Sequence, residues 1–303
     1  MILKISRGVI SYNTTVEQET TQKGGIPMSH SALQRKLRSH RKRLFAAMLA
    51  AGFAGAPAAA HQTFLLPSEF AWENDETVTV DLTSALSFPD LEHGPARERI
   101  AFSQAAIGGA AVGALSFKES ETALTISFDT NRTGLAIAAA SSKPRAGQIP
   151  PEDVDAYLDE IEADAAVRQA FDALPGSPPL DRSYSKHAKT FFCIDACDND
   201  GDAVTPVDQI LEFVASEARA KTFVLLLDGK PLAGKSVTIA PLEGEAIQTI
   251  TDENGTLTVS ASLSGVIMLS AVWITLPESA DGVYHSDYAT LTVNLGRQPS
   301  GSE

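Results

Sequence analysis

Between Phe223 and Leu295 the chain breaks into short apolar segments separated by tight-turn sequences, a pattern that leaves no room for long helices. Phe223-Val224-Leu225-Leu226-Leu227 reads as a buried strand, Asp228-Gly229-Lys230-Pro231-Leu232 as the turn, and Ser236-Val237-Thr238-Ile239 as the returning strand. Ile247 to Ile250 and Leu257-Thr258-Val259 flank a second hairpin turn, Asp252-Glu253-Asn254-Gly255, and further strands are expected over 266–274 and 288–295. Short strands at near-regular spacing predict an antiparallel sandwich over 217–297, with 298–303 as a disordered tail.

The preceding region, 61–216, is also expected to be β-rich. Thr77 to Leu82 and Leu124 to Phe128 alternate apolar and polar residues, and Gly134 to Ala138 suits a buried strand. A polar loop is expected over Pro89 to Arg99, and Phe102 to Leu115, rich in Ala and Gly, gives a weak signal. One helical insertion stands out near 152–174. Pro150-Pro151 and Glu152-Asp153 suit a helix start, Val154, Tyr157, Leu158, Ile161 and Ala165 keep helical spacing, and Pro175-Gly176 ends it. The fold class read from these patterns is mainly β: two antiparallel sandwich domains, 61–216 and 217–297, with a helical insertion in the first.

The first sixty residues read differently. Arg35, Lys36, Arg38, Arg41, Lys42 and Arg43 precede the uncharged run Leu44 to Pro57, and Ala58-Ala59-Ala60 follows with the small residues that signal peptidase requires. That run of 14 residues spans about 21 Å as a helix, short of a hydrocarbon core of ~30 Å. The expectation is a leader over 1–60, starting at Met28 rather than Met1, cleaved after Ala60 to release a protein into the periplasm. No later segment is long and apolar enough to span a bilayer. Nine of the 24 Lys+Arg and two of the 38 Asp+Glu lie in the leader, so 15 basic and 36 acidic residues remain after it. That balance disfavours nucleic acid and anionic lipid as partners and favours cations.

Cleavage after Ala60 would make His61 the amino terminus, where an α-amine and an imidazole on one residue can close on one metal ion. Such a nitrogen pair suits Cu(II), Ni(II) or Zn(II). Four histidines follow the leader: His61, His93, His187 and His285. The expected metal set is His61 with His187 and His285; His93, in the polar loop Glu92-His93-Gly94-Pro95, is not included. Taken singly, each also fits a surface or hydrogen-bonded structural place. Cys193 and Cys197 are open to a disulfide, to free thiols or to metal ligation, and a disulfide would need a turn between them. The acidic stretch with Asp195, Asp198, Asp200 and Asp202 fails the EF-hand register, which would place Ala196 and Val207 where carboxylates are needed. The sequence carries no nucleophile elbow, His-Glu-x-x-His pair, P-loop or dinucleotide fingerprint, and no enzymatic activity is expected.

Ala60-His61-Gln62-Thr63-Phe64-Leu65-Leu66-Pro67 resembles the mature opening of a family of periplasmic domains of unknown function, whose members often carry the name periplasmic component of a cobalt/nickel uptake system. Asp155 to Leu158 and Tyr184 to Lys189 resemble its middle section. Asp228 to Gly234, Thr251 to Gly255 and Tyr288 to Thr292 resemble its transthyretin-like C-terminal sandwich. Where such families commonly place a His, this chain has Trp273, which removes that ligand. The resemblance implies an immunoglobulin/transthyretin-like fold and a role in handling nickel, cobalt or copper, with a metal permease or outer-membrane receptor as partner. Two other roles are compatible with the sequence: a periplasmic protein-interaction module without metal, and a copper oxidase built on an N-terminal His.

Overall fold

The computed structural model describes residues 61–197, 200–216 and 221–296; the expected leader, Met28, the cleavage after Ala60, Asp198 and the expected tail lie outside them. The first half contains β1 (Gln62–Pro67), β2 (Ala71–Trp72), β3 (Thr77–Ala85), β4 (Ile100–Ile107), β5 (Ala110–Ala111), β6 (Ser116–Glu119), β7 (Leu124–Asp129), β8 (Gly134–Ser142) and β9 (Arg145–Ile149). Then come α1 (Val154–Glu160), α2 (Ala165–Asp172) and the long strand β10 (Leu180–Ile194). The remainder holds β11 (Leu211–Ala215), β12 (Thr222–Leu227), β13 (Lys230–Pro231), β14 (Ser236–Pro241), β15 (Ile247–Ile250), β16 (Thr256–Thr258), β17 (Val266–Thr275) and β18 (Tyr284–Asn294). The protein is mainly β, as the alternation implies. No described helix is long and apolar enough to cross a membrane.

The strands form one ten-stranded and two four-stranded sheets. The ten-stranded sheet runs β15-β14-β17-β18-β10-β8-β4-β5, with β2 and β9 also pairing with β10, and so crosses the boundary expected at 216/217. Its seam is parallel: β10 pairs with β18 from Arg182↔Tyr284 to Phe191↔Val293. The sheet is therefore mixed, where an antiparallel one is predicted. A parallel neighbour needs a long connection, and here all of β11 to β17 supplies it. Local alternation identifies strands but carries no information on this pairing.

Two cores use opposite faces of the shared sheet. Ala136, Ala138 and Ala140 of β8 and Ala188 and Phe192 of β10 face Leu65, Val80, Leu82, Ile126 and Phe128 of the sheet β1-β3-β7-β6. The intervening Ile137 and Phe191 join Phe213, Phe223 and Leu225 of the sheet containing β11, β12, β13 and β16. Adjacent residues of a strand point to opposite faces, so one pleated sheet serves both cores.

Two expected hairpins are built otherwise. Asp228 and Gly229, both with positive φ, close a tight turn between β12 and β13, but β14 leaves for the ten-stranded sheet and pairs with β15 and β17. Asp252 to Gly255 links β15 in that sheet to β16 in the other, so this turn crosses between sheets. A Cβ on Gly255 would lie 2.8 Å from Leu232 N and 3.0 Å from Leu225 O, so the crossing depends on glycine there. The helical insertion is two short helices, broken at Glu162, whose φ is +49°. The break folds Val154, Tyr157 and Leu158 of α1 and Val167 and Phe171 of α2 onto one patch formed with Leu180, Ile274 and Tyr284.

Candidate functional site

The four histidines fall into two groups. His61 immediately precedes β1, whose antiparallel register with β3 puts Gln62 opposite Ala85 and Thr63 opposite Ser84. The start of the first strand is therefore beside the end of β3. The loop that leaves β3 then returns: Ser84 N donates to His93 O at 2.9 Å and His93 N donates to Ser84 O at 3.1 Å. Ser84 thus has residues near His61 on one side and His93 on the other. The rings of His61 and His93 lie 5.2 Å apart at 45°. Glu92 reaches the same place, with Oε2 3.7 Å from His61 Nε2 and accepting a hydrogen bond from Leu86 N at 3.2 Å.

Gly94 anchors the loop. Its N donates to Glu121 O at 2.8 Å, and a Cβ there would fall 2.5 Å from Ser120 O and 2.7 Å from Ala123 N. Only glycine lets the segment after His93 lie this close to the β6–β7 turn.

Ligating atoms of His61, Glu92 and His93 lie within 4.8 Å of one another, and this is the one such three-residue group among the described residues. Donors on a single transition metal, at bond lengths of about 2.0–2.2 Å, stand roughly 3–4 Å apart. The trio therefore fits an ion after a contraction of about 1 Å. Two imidazoles and a carboxylate suit nickel, cobalt, copper or zinc, and leave coordination positions for further donors. Among the described residues the rings of His61 and His93 have no hydrogen-bond partner to surrender, apart from the Glu92 contact within the trio.

The second group is built around a buried pair, His187 and Asp287, with His285 half-buried beside it. His187, on β10, is 5 % exposed; its Nδ1 is 2.9 Å from Ser141 Oγ and its Nε2 is 2.9 Å from Asp287 Oδ1. Gln209 Nε2 donates to the same Ser141 hydroxyl at 3.2 Å. His285 Nε2 lies 3.4 Å from Asp287 Oδ1, and its Nδ1 lies 2.6 Å from Ser183 Oγ. Both ring nitrogens of each imidazole are engaged, and Asp287 is 2 % exposed. Ser141, His187 and Asp287 are the residue types of a hydrolytic triad, yet none of them lines a described cavity. We read them as a buried polar network that joins β8, β10 and β18. The set His61, His187 and His285 is thus divided by the fold: His61 is drawn to His93 and Glu92, which the sequence reading omits, and the other two to Asp287.

Lys189 and Glu212, both 1 % exposed, form another buried pair; Lys189 Nζ also donates to Phe213 O at 3.0 Å and Glu212 accepts from Val207 N. Burial pushes the Lys189 amine below its usual range, opposed by the Glu212 carboxylate. This pair ties β10 to the sheet of β11 and is saturated. Cys193 and Cys197 are joined in a disulfide with Cα atoms 5.7 Å apart. The turn it needs begins where β10 ends, at Asp195 with φ +57°.

The surroundings of His61 are open. Three cavities, of about 210, 410 and 440 Å³, all include His61 in their walls. Lys186 of β10 lies between two of them and donates to the His61 carbonyl at 2.6 Å. Burial, then the guanidinium groups of Arg182 and Arg145, push the Lys186 amine down to about 8. Its side chain sits 6.0 Å from the ring centre of Tyr184 and 5.9 Å from that of Tyr288. Burial raises the Tyr288 phenol, and its hydrogen-bonded neighbour Tyr157 raises it further. Burial also raises the Glu160 carboxyl, against the nearby Arg182.

A family model described as Domain of unknown function (DUF4198) matches residues 58–275, which contain every residue of both histidine groups except His285 and Asp287. The chain belongs to the DUF4198 family. No curated protein matches it. Among solved structures, the D0-D1 domain of intimin is 12 % identical, over 75 % of this chain and 96 % of that one, with a TM-score of 0.19. Salmonella alpha-2-macroglobulin reacted with methylamine is 12 % identical, over 80 % of this chain and 15 % of that one, with a TM-score of 0.23. An I-band fragment of titin is 9 % identical, over 78 % of this chain and 99 % of that one, at 0.17. At these TM-scores the three likenesses carry no argument about this DUF4198 member's site.

Proposed function

We propose that this protein is an exported, periplasmic binder of a divalent transition metal, nickel, cobalt or copper, that serves in acquiring or handling the ion and catalyses no reaction. His61, His93 and Glu92 hold the metal, and cleavage of the leader after Ala60 adds the His61 α-amine as a fourth donor. The observation that carries this reading is the convergence of His61, Glu92 and His93 at the end of β3, with ligating atoms within 4.8 Å of one another. A metal permease or outer-membrane receptor would be the partner that passes the ion on.

Calorimetric titration of the exported protein with Ni(II), Co(II), Cu(II) and Zn(II) tests the reading. One ion per chain should bind, releasing protons as the metal displaces them from the protonated α-amine and any protonated imidazole. A variant with one extra residue before His61 should bind more weakly. Equal affinity in the two forms removes the terminal amine from the site, and no binding by either removes the function.

A further inference from the structure

The cavity of about 410 Å³ between His61 and His93 has walls unlike the rest of the molecule. Four of the 15 basic residues after the leader, Arg99, Lys143, Arg145 and Lys186, line it, and no Asp or Glu does. In a chain with 36 acidic residues after the leader, chance alone would bring at least some acid to such a surface. None of the four makes an ion pair with a carboxylate among the described residues.

The cations converge from separate elements. Arg99 precedes β4 and its carbonyl accepts from Lys143 N at 2.8 Å, closing the end of β4 onto the end of β8. Arg145 opposes Tyr184 in the β9–β10 register, and Lys186 follows two residues later along β10. One Lys186 hydrogen is used by the His61 carbonyl, which leaves two directed elsewhere. The neighbouring cavity shares His61, Tyr184 and Lys186 and adds Arg182, but there the carboxylates of Asp153 and Glu160 balance the charge. The Arg182 guanidinium lies 4.8 Å from the ring centre of Tyr157 and 5.0 Å from that of Tyr184, and its Nε is buried with no hydrogen-bond partner. The four cations of the 410 Å³ cavity, by contrast, face one another with no carboxylate in its walls, a repulsion that a bound anion relieves.

We infer that this cavity holds a small polycarboxylate, and that the metal reaches His61 and His93 as an anionic chelate whose carboxylates are gripped by Lys143, Arg145 and Lys186. This rests on the metal reading for its second half only; the anion site stands on the cations alone. A chelate fits because His61 and His93 line the same cavity as the cations, so one ligand can reach both. It also fits the charge distribution. The molecule as a whole repels an anion, and only within about 8 Å of this patch does the local field reverse that at physiological salt.

The test titrates the full-length gene product, exported and with its terminus verified by intact mass, using three probes: Ni(II) alone, citrate alone, and equimolar Ni(II) with citrate. Wild type is compared with the double variant Lys143→Gln/Arg145→Gln, at exposed positions where folding is retained. Citrate should bind wild type without metal, and Ni(II) with citrate should bind more tightly than citrate alone. The variant should lose roughly tenfold or more in both citrate-containing titrations, while its affinity for Ni(II) alone stays within about twofold of wild type. Citrate binding that the variant loses, with no binding of Ni(II) alone, keeps the anion site and removes the metal reading. If citrate alone fails to bind and merely strips Ni(II) from wild type and variant alike, the inference is overturned while the metal reading survives.

Discussion

The molecule contains two clusters of histidine and carboxylate built from the same residue types to opposite ends. At the end of β3, His61, Glu92 and His93 gather beside three cavities that all include His61, and their rings contact only one another and Glu92 among the described residues. Along the β10–β18 seam, His187, His285 and Asp287 saturate one another together with Ser141, Ser183 and Gln209. The difference lies in where the hydrogen bonds go rather than in composition. A buried imidazole with two partners stabilises the fold only while both remain, and it offers no lone pair to an ion without breaking them. A rim imidazole has only water to give up, which is why the proposed ion is assigned there.

This contrast has consequences that separate fold from function, and the largest concerns the interior. His187→Ala should leave the Asp287 carboxylate buried with only the longer His285 contact, costing about 3–5 kcal/mol of stability by chemical denaturation. Its metal affinity, measured below the melting transition, should be unchanged. His93→Ala should do the reverse: metal affinity should fall by at least about tenfold, the loss that removal of even an indirect partner of a ligand can cause, with little change in melting temperature because His93 is exposed. A His187→Ala protein that loses metal, or a His93→Ala protein that keeps it, breaks the comparison.

Gly94→Ala should show a mixed effect. The added methyl group meets the backbone of Ser120 and Ala123, which cannot yield as a flexible side chain would. We expect a loss of about 1–3 kcal/mol, with a smaller drop in metal affinity as His93 shifts. The smallest effect concerns Lys186. Its amine is held near 8 in the fold against 10.5 as a free side chain, so between those values the unfolded chain binds more protons. Wild-type stability should therefore rise with pH across roughly 8 to 10.5 relative to Lys186→Met, and the two curves should run parallel outside that window. Parallel curves throughout would show that the amine is not depressed by its surroundings.

Much of the fold is visible in the residues themselves. The alternation at Thr77 to Leu82 and Leu124 to Phe128, the Asp228-Gly229 turn and the apolar face of Val154, Tyr157 and Leu158 all appear where expected, because each reports a local preference. What the residues do not carry is partnership. The parallel seam between β10 and β18 joins segments about a hundred residues apart, and the passage of β14 to the other sheet depends on which faces the cores need to cover. The site suffers the same limit. His61 could be read as a ligand from its place after the expected leader, but His93 is recognisable only once Gln62–Pro67 is taken as a strand antiparallel to Thr77–Ala85. That pairing puts the loop after Ala85 beside the first residue of β1. The pattern Thr63-Phe64-Leu65, partly apolar and short, did not by itself announce it. The cations at 99, 143, 145 and 186 are likewise dispersed along the chain, and only the β4–β8–β9–β10 pairings gather them.

The account turns on which histidines receive the ion. Anomalous diffraction from crystals of the protein beginning at His61, grown with Ni(II) and recorded on both sides of the nickel absorption edge, locates it directly. A single peak bonded to His61, His93 and Glu92, with the His187–Asp287 contact intact, is the result this account predicts; a peak bonded to His285 or Asp287, with none at His61, would contradict it.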